Sequence, residues 1–229
     1  MRAMILAAGL GTRLRPFTET HPKALFEVNG KTLLQHAIEH LKGAGITEVI
    51  VNVHHFAGQI TDFLRQHDHF GMQMAISDET GELLDTGGGL KKASWFFEGC
   101  RAAVIRNVDI LSDLDLKELS GFHLRNNALV TLAVRNRETS RYFLFDEEMQ
   151  LCGWENRNTR ELKKSRDQET CQPFAFSGIQ VISPAMFPRI TEERKFSLTD
   201  LYLRLSRDQK ILGFIETGAL WEDVGKMKN

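Results

Sequence analysis

Four cations and two glycines near the start of the chain have the types and spacing to bind a polyanion. Arg2, Arg13, Arg15 and Lys23 occur in the first 23 residues against a single acid, Glu19. They surround Gly9-Leu10-Gly11-Thr12-Arg13-Leu14-Arg15-Pro16, which follows the apolar run Ala3-Met4-Ile5-Leu6-Ala7-Ala8 and leads on to Pro22-Lys23. Glycine lets backbone N–H groups approach an anion closely, and a turn aims several of them inward. Arginine and lysine then neutralise the charge. The chemistry indicated is capture of a phosphate chain at the carboxyl end of a strand, where open α/β sheets take their ligands.

Two better-known phosphate motifs do not fit. Gly9-x-Gly11-x-x-Leu14 lacks the third glycine of the dinucleotide fingerprint, and G-x-x-x-x-G-K-[ST] occurs nowhere. A tight turn carrying surface arginines would account for the bare glycine pair. It does not account for Thr12-Arg13, Pro16, Thr18 and Pro22-Lys23 together.

The elements that must position this loop are those of an ordinary α/β protein. The chain has 229 residues, 42% of them hydrophobic and 26% charged, with a net charge of −1. That balance gives no global field to recruit nucleic acid or an anionic membrane. Neither a signal-peptide core nor a transmembrane stretch is present in the sequence, so a soluble cytoplasmic protein is expected. Cys100, Cys152 and Cys171 are odd in number and far apart, which predicts three reduced thiols rather than a disulfide framework or zinc site. His54-His55 and His67-x-His69 read as solvated or capping residues.

Residues 2–8 read as a buried strand, and residues 31–44 as a helix with Leu33, Leu34, Ala37, Ile38 and Leu41 on one face. A strand at 48–53, a helix near 57–67, a strand at 72–76 and a glycine-rich turn at 86–89 follow. A helix to Phe97, a strand at 102–105, a helix at 115–126 and a strand at 129–134 continue the alternation. Such alternation predicts a mostly parallel sheet covered on both faces. Beyond 140 the character changes to a hairpin (142–145 with 149–155), a polar loop (156–171) and a strand at 173–182. A short helix at Pro184, a helix at 197–206 and strands at 211–215 and 219–221 complete the reading. One domain over 1–229 is expected, with 1–135 mainly nucleotide-binding and 136–229 a β-rich elaboration.

The segment from Leu6 to Lys23 resembles the L-A-A-G-x-G-T-R-L-x-P-[LF]-T…P-K signature of the sugar-1-phosphate nucleotidylyltransferases. Those enzymes join a nucleoside triphosphate to a sugar 1-phosphate and release pyrophosphate. Four further segments are similar to family motifs: Thr86-Gly87-Gly88-Gly89, Asn107-Val108-Asp109, Phe176-Ser177-Gly178-Ile179 and Trp221-Glu222-Asp223-Val224-Gly225. The resemblance implies a three-layer α/β/α Rossmann-like fold with a mostly parallel mixed sheet and a β-rich sugar-binding elaboration.

It also implies a site. Leu6, Ala8, Gly9, Gly11, Thr12, Arg13, Lys23, Glu79, Gly87 and Gly88 would bind the nucleotide, with Gly87 and Gly88 against the base and Glu79 at the ribose or base. In Asp78-Glu79-Thr80 that acid reads equally as solvent-facing. Arg13 would hold the departing β- and γ-phosphates and Lys23 the α-phosphate, so that Arg13, Lys23 and Asp109 carry catalysis. Asp109 and Asp223 would hold Mg²⁺, which takes one or two carboxylates and leaves its other positions to phosphate and water. Asn107, Tyr142, Glu155, Ser177 and Gly178 would meet the sugar. Since the attacking phosphate is already an anion, neither a general base nor a covalent intermediate is needed.

Three departures stand out. Val108 replaces the family's small middle residue. Asn156 stands where many relatives carry the lysine of Glu-Lys-Pro that grips the sugar phosphate, so Arg157 or Lys226 is the expected substitute. The chain runs four residues beyond Gly225, so the usual terminal helix is expected to be either absent or cut away. Length and the turn Leu84-Asp85-Thr86-Gly87-Gly88-Gly89 are similar to compact members that use UTP and N-acetylmuramate 1-phosphate in cell-wall recycling. Mannose- or heptose-1-phosphate guanylyl transfer and cytidylyl transfer to a phosphorylated alcohol are the alternatives. A non-catalytic sensor ranks lower, because Arg13, Lys23, Asp109 and Asp223 are all present. The partners are thus a nucleoside triphosphate and a sugar 1-phosphate, with no nucleic acid or membrane, and the protein a monomer or homodimer.

Overall fold

The computed structural model describes residues 1–168, 170–217 and 220–226, the side chain of Lys226 excepted. In chain order the strands begin with β1 (Arg2–Leu6), β2 (Glu27–Val28), β3 (Lys31–Thr32), β4 (Glu48–Val53) and β5 (Gln73–Asp78). Then come β6 (Ala103–Asn107), β7 (Ile110–Ser112), β8 (Val130–Arg135), β9 (Arg141–Phe145) and β10 (Leu151–Asn156). The last are β11 (Glu161–Lys164), β12 (Gln172–Ile182), β13 (Ile211–Ile215) and β14 (Trp221–Asp223). The helices are α1 (Leu33–Gly43), α2 (Ala57–Gln66), α3 (Asp85–Lys92), α4 (Leu116–Arg125) and α5 (Leu198–Leu205).

An N-terminal run without a polar face needs cover on both sides, and β1 obtains it. Its neighbours β4 and β6 pair with it in parallel, and β5 extends the parallel block beyond β4. Ala3 and Ile5 point to one core with Val49, Val51 and Val104, which α1, α2 and α4 cover. Met4 points to the other with Ile50 and Ile105, beneath Leu90 of α3 and Leu201 of α5. The architecture is therefore the expected three-layer α/β/α fold. Side-chain caps start three helices: Thr32 accepts from the N–H of Gln35, Asp115 from that of Glu118, and Ser197 from that of Asp200.

The main sheet has ten strands, in the order β11-β10-β9-β12-β6-β1-β4-β5, with β8 pairing to both β12 and β13. The chain moves from β1 outward through β4 and β5, then returns to the other side of β1 at β6. The strand order thus reverses between β1 and β6, the place where an open sheet leaves a crevice at its carboxyl edge. Beyond β6 the pairing is antiparallel except between β8 and β13, which run parallel. The eleven-residue β12 pairs with β9 through its first three residues, with β6 through its last four, and with β8 on both sides of a register shift between Phe176 and Gln180.

Several local expectations are corrected. Residues 86–89 lie inside α3, not in a turn before it. Glycine disfavours helix by about 1 kcal/mol each, but here tertiary contact decides: the N–H of Gly87 donates to Phe196 O at 2.9 Å. The supposed loop 156–171 contains β11, folded back on β10. β14 pairs with β7 in a separate ribbon instead of closing the main sheet, and Ala219, assigned to that strand from sequence, lies outside the described residues. Finally, Cys152 is bonded to Cys171, with Cα atoms 7.1 Å apart, leaving Cys100 free. Their separation of 19 residues hides the pairing in the sequence. The returning segment brings them together by donating from Ser165 N to Cys152 O at 2.9 Å. Among the described residues no helix is long and apolar enough to cross a membrane.

Candidate active site

The glycine loop leaves β1 at the crevice and is held by side chains from neighbouring strands. Asn52, at the inner end of β4 and 3% exposed, accepts from Ala7 N at 2.7 Å through its Oδ1. Its Nδ2 donates to Glu79 Oε1 at 2.7 Å, and Glu79 Oε2 accepts from Leu84 N at 3.2 Å. One buried amide and one carboxylate, the latter 1% exposed, therefore fix both the phosphate loop and the approach to α3. The sequence left Glu79 open between a ribose contact and a solvent-facing acid. It is buried, and its carboxylate is committed to this network while bordering the cleft. An isolated Asn in the apolar strand Val49-Ile50-Val51-Asn52-Val53 was the available signal.

Gly11 adopts φ 61°, the left-handed region open to glycine. A Cβ there would meet Lys23 Cβ at 2.8 Å and Thr18 Cγ2 at 2.9 Å. The absent side chain lets the lysine stem lie against the loop. Lys23 Nζ donates to Asp109 Oδ2, the ion pair lying with side chains 11% and 14% exposed. Asp109 occupies the turn between β6 and β7.

Beneath that turn Arg106 is 1% exposed. Its Nη1 donates to His40 Nδ1 at 2.8 Å and its Nη2 to Ile110 O. Burial lowers the guanidinium to about 10, against the pull of Asp109, so it stays charged at neutral pH. Burial first, and then the charge of Arg106, lowers His40 to about 4. His40 is therefore neutral, with Nε2–H donating to Leu114 O at 2.8 Å and Nδ1 accepting from the arginine.

Asp223 is brought to the same place by the β14–β7 ribbon, where it stands opposite Ile110, and Val224 N donates to Asp109 O at 3.1 Å. The next residue shows how closely the groups converge. A Cβ on Gly225 would lie 2.7 Å from Lys23 Nζ, 2.9 Å from Asp109 Oδ2 and 3.1 Å from Asp223 Oδ1. Three charged groups from distant segments meet around a residue with no side chain. This is why the last motif ends in glycine.

Two concavities flank this point. The first, about 380 Å³, is lined by Leu6, Ala8, Gly9, Lys23, Glu79, Thr86, Asn107, Asp109 and Lys195, among others. Lys195 was not singled out from sequence. Gly87 and Gly88 are buried behind this wall: a Cβ on Gly87 would come 2.3 Å from the Phe196 ring, and one on Gly88 2.3 Å from Arg194 O. Thr86 thus borders the cleft, while the two glycines serve its packing.

The second concavity, about 570 Å³, is lined by Arg13, Asn107, Ile110, Arg137, Arg141, Phe143, Trp154, Phe176, Gly178, Trp221 and Asp223, among others. Arg13 therefore opens on this side, away from the first cleft, with Thr12 beside it in a 3₁₀ turn. Asn107 borders both.

Tyr142 and Glu155 are not brought to this pocket. Phe143 pairs across the β9–β10 ladder with Trp154, and Tyr142 with Glu155. Side chains alternate faces along a strand, so the first pair faces the pocket and the second points away. Behind the sheet, Arg157 donates to Glu155 Oε1 at 2.8 Å and its guanidinium lies 4.2 Å from the Tyr142 ring centroid. Ser177 is fully buried: its hydroxyl donates to Glu216 Oε1 at 2.8 Å and its carbonyl accepts from Trp221 Nε1 at 2.9 Å. It anchors the pocket from behind. Gly178 lies at φ 80°, where a Cβ would strike Ile110 Cγ1 at 2.6 Å. The sequence did not single out Arg137, Arg141 or Trp154, and it left Phe143 beside Tyr142 open between a sugar contact and a core aromatic, since the face each takes depends on strand register.

A strand-order crevice with a glycine-rich cationic loop, two carboxylates and an adjoining second pocket defines a transferase of nucleotidyl groups. The nucleotidyl transferase family model matches residues 2–229, and the chain belongs to that family as a nucleotidyltransferase. Among its relatives, it is 31% identical to the N-acetylmuramate alpha-1-phosphate uridylyltransferase of Caulobacter vibrioides, over 97% of this chain and 91% of that one. It is 32% identical to the enzyme of the same name from Neisseria meningitidis serogroup B, over 98% and 93%. Among solved structures, HddC from Yersinia pseudotuberculosis superposes with a TM-score of 0.78 over 98% of this chain and 93% of that one. At 22% identity this likeness speaks to the fold alone.

Proposed function

We propose that the chain transfers the uridylyl group of UTP to N-acetylmuramate 1-phosphate, giving the UDP-sugar and pyrophosphate. The observation that carries this reading is the convergence of Lys23, Asp109 and Asp223 on Gly225, between the two concavities. A nucleotide in the first and a sugar phosphate in the second would meet there with their reacting phosphates together. The choice of UTP and of the muramate follows the two uridylyltransferase relatives. We assign the reaction to the cytoplasm, where UTP is available, and to reuse of cell-wall sugar.

The divalent ion the reaction calls for fits these residues. Asp109 and Asp223 offer only oxygen donors, and the missing Gly225 side chain leaves room between them. Among the described residues no third His, Cys, Asp or Glu joins them. Two carboxylates suit Mg²⁺, which leaves its other positions to phosphate and water. When bound, the ion supplies charge neutralisation for the reacting phosphates.

The chain's own residues do the rest. The backbone at Gly9 and Gly11 seats the triphosphate at the end of β1, and Asn52 and Glu79 keep that loop from yielding. Lys23 turns from Asp109 to the α-phosphate and stabilises the charge that develops during displacement. A sugar-phosphate oxygen attacks the α-phosphorus, the bond to the β-phosphate oxygen breaks, and pyrophosphate leaves with the electron pair. Positioning and electrostatics account for the rate, as in other phosphoryl transfers.

The test is a pyrophosphate-release screen of four nucleoside triphosphates against a panel of sugar 1-phosphates with Mg²⁺. Turnover is expected with UTP and N-acetylmuramate 1-phosphate. Turnover with GTP and none with UTP would replace the base assignment, and nucleotide binding without any turnover would replace the enzyme with a sensor.

A further inference from the structure

The family's sugar-phosphate lysine is missing, and neither residue expected to replace it is seen in the acceptor pocket. Asn156 is neutral and buried, and its Oδ1 accepts from Asn158 N at 3.1 Å. Arg157 is committed to Glu155 and Tyr142 on the far face of the β9–β10 ladder. The side chain of Lys226 lies outside the described residues.

A different cation stands inside the acceptor pocket. Arg137 lies two residues beyond the end of β8, and its guanidinium lies 4.1 Å from the centroid of a Trp221 ring. That ring is fixed in turn by its Nε1–H bond to Ser177 O. Nη2 donates to Phe176 O at 3.1 Å and Nη1 to Glu138 O at 3.3 Å, main-chain contacts that orient the fork. The Asp223 and Glu216 carboxylates lie close enough to favour its charge. No carboxylate forms an ion pair with Arg137 among the described residues, and its Nε is buried with no hydrogen-bond partner. Asp223 of the central cluster lines the same pocket. Stacked on an aromatic face, oriented by two carbonyls and held by no direct ion pair, this guanidinium is built for an oxyanion.

We infer that Arg137 grips the phosphate of the incoming sugar 1-phosphate and holds its attacking oxygen against the nucleotide. This rests on the proposed transfer reaction and names the acceptor-binding residue within it. A planar fork presents two donors to phosphate where lysine presents a point charge, so the acceptor is oriented as well as attracted. The cation arrives on the turn after β8 rather than on the β10 strand, and the pocket keeps its charge although the usual position is neutral.

The test is steady-state kinetics of the full chain with the nucleotide and sugar 1-phosphate that the screen selects, comparing R137A, R137K and R157A. For R137A, KM for the sugar 1-phosphate should rise about 10- to 100-fold, the range for a lost hydrogen bond to a charged group. KM for the triphosphate should stay within about twofold, which general damage to the fold would not permit. R137K should fall between R137A and the parent, and it carries the test should R137A fail to fold. R157A should match the parent. An unchanged acceptor KM in R137A, equal rises for both substrates, or a penalty carried by R157A instead would overturn the assignment alone. A parent enzyme that turns over no sugar 1-phosphate with any triphosphate would overturn the reaction and this assignment with it.

Discussion

The two halves of the site are built by opposite means. On the nucleotide side, buried polar side chains pair with one another: Asn52 with Glu79, Arg106 with His40 (the arginine Nε alone left without a partner), Lys23 with Asp109. On the acceptor side, aromatic walls from Phe143, Trp154, Phe176 and Trp221 carry guanidinium groups that open on the pocket. The first half is a frame of hydrogen bonds that ties the parallel strands to the helix and loops around them. The second is a surface of rings whose aim depends on antiparallel register. The lesson is that the reaction is encoded in polar residues that stay put, and acceptor choice in side chains that one register step would turn away.

Four predictions would break or sharpen that contrast. The largest concerns the shared centre: Lys23→Ala should lower kcat by about 10³-fold, as loss of a main charge-stabilising donor does. Its thermal midpoint should stay near that of the parent. Near-normal turnover by pyrophosphate release would remove Lys23 from the mechanism.

The second separates the halves by pH. His40 is held near 4 in the folded state, so between that value and 6.5 the unfolded chain binds the extra proton. Stability from the nucleotide half is therefore lost as pH falls through this window, by up to roughly 3 kcal/mol. Glu216, behind the acceptor pocket, is raised above 4.5 by burial, with the Ser177 and Arg135 contacts opposing. Its contribution has the reverse sign and is lost as pH rises. Urea midpoints at pH 7.5 and 5 should drop on acidification in the parent and drop less in His40→Asn. Equal slopes for the two would show that His40 is not the group responsible.

Third, Asn52→Ala should cost about 1–3 kcal/mol, the range for stranding buried partners. The loss should appear in denaturant midpoints and in a weaker UTP KM, with the acceptor KM little changed. Smallest is Trp221→Leu, expected to raise the acceptor KM by about tenfold through the lost cation–π support of Arg137. A UTP effect of equal size in that variant would mean the halves are not separable.

The same contrast explains what could be read from the sequence. The phosphate loop and the charged centre were legible because their residues sit in continuous motifs: Gly9 to Lys23, Asn107 to Asp109, Trp221 to Gly225. The strands β1 and β4 and helix α1 were plain for the same reason, since each carries one unbroken pattern. The buried supports Asn52, His40 and Arg106 lie outside those motifs and were not legible. Neither was the acceptor wall. Choosing Tyr142 over Phe143 and Glu155 over Trp154 requires knowing which face of a hairpin is covered, and both faces carry aromatic residues. The glycines of α3 pointed to a turn because propensity is local, whereas Phe196 and Arg194 fill the space above them from more than a hundred residues away. Arg137 carried no motif at all. Its role is visible only once Trp221 lies beneath it.

β12 has a mechanical consequence. Its eleven residues run from the β9 pairing at the acceptor wall (Gln172–Phe174) to the β6 pairing beside the nucleotide crevice (Ile179–Ile182). Between the two, the ladder to β8 shifts register around Gly178, at φ 80°. A bulge bends and re-aims the strand that carries it. One strand thus supports both substrate seats, with its bend at the glycine between them, and a side chain at 178 would disturb the acceptor wall and the nucleotide crevice together.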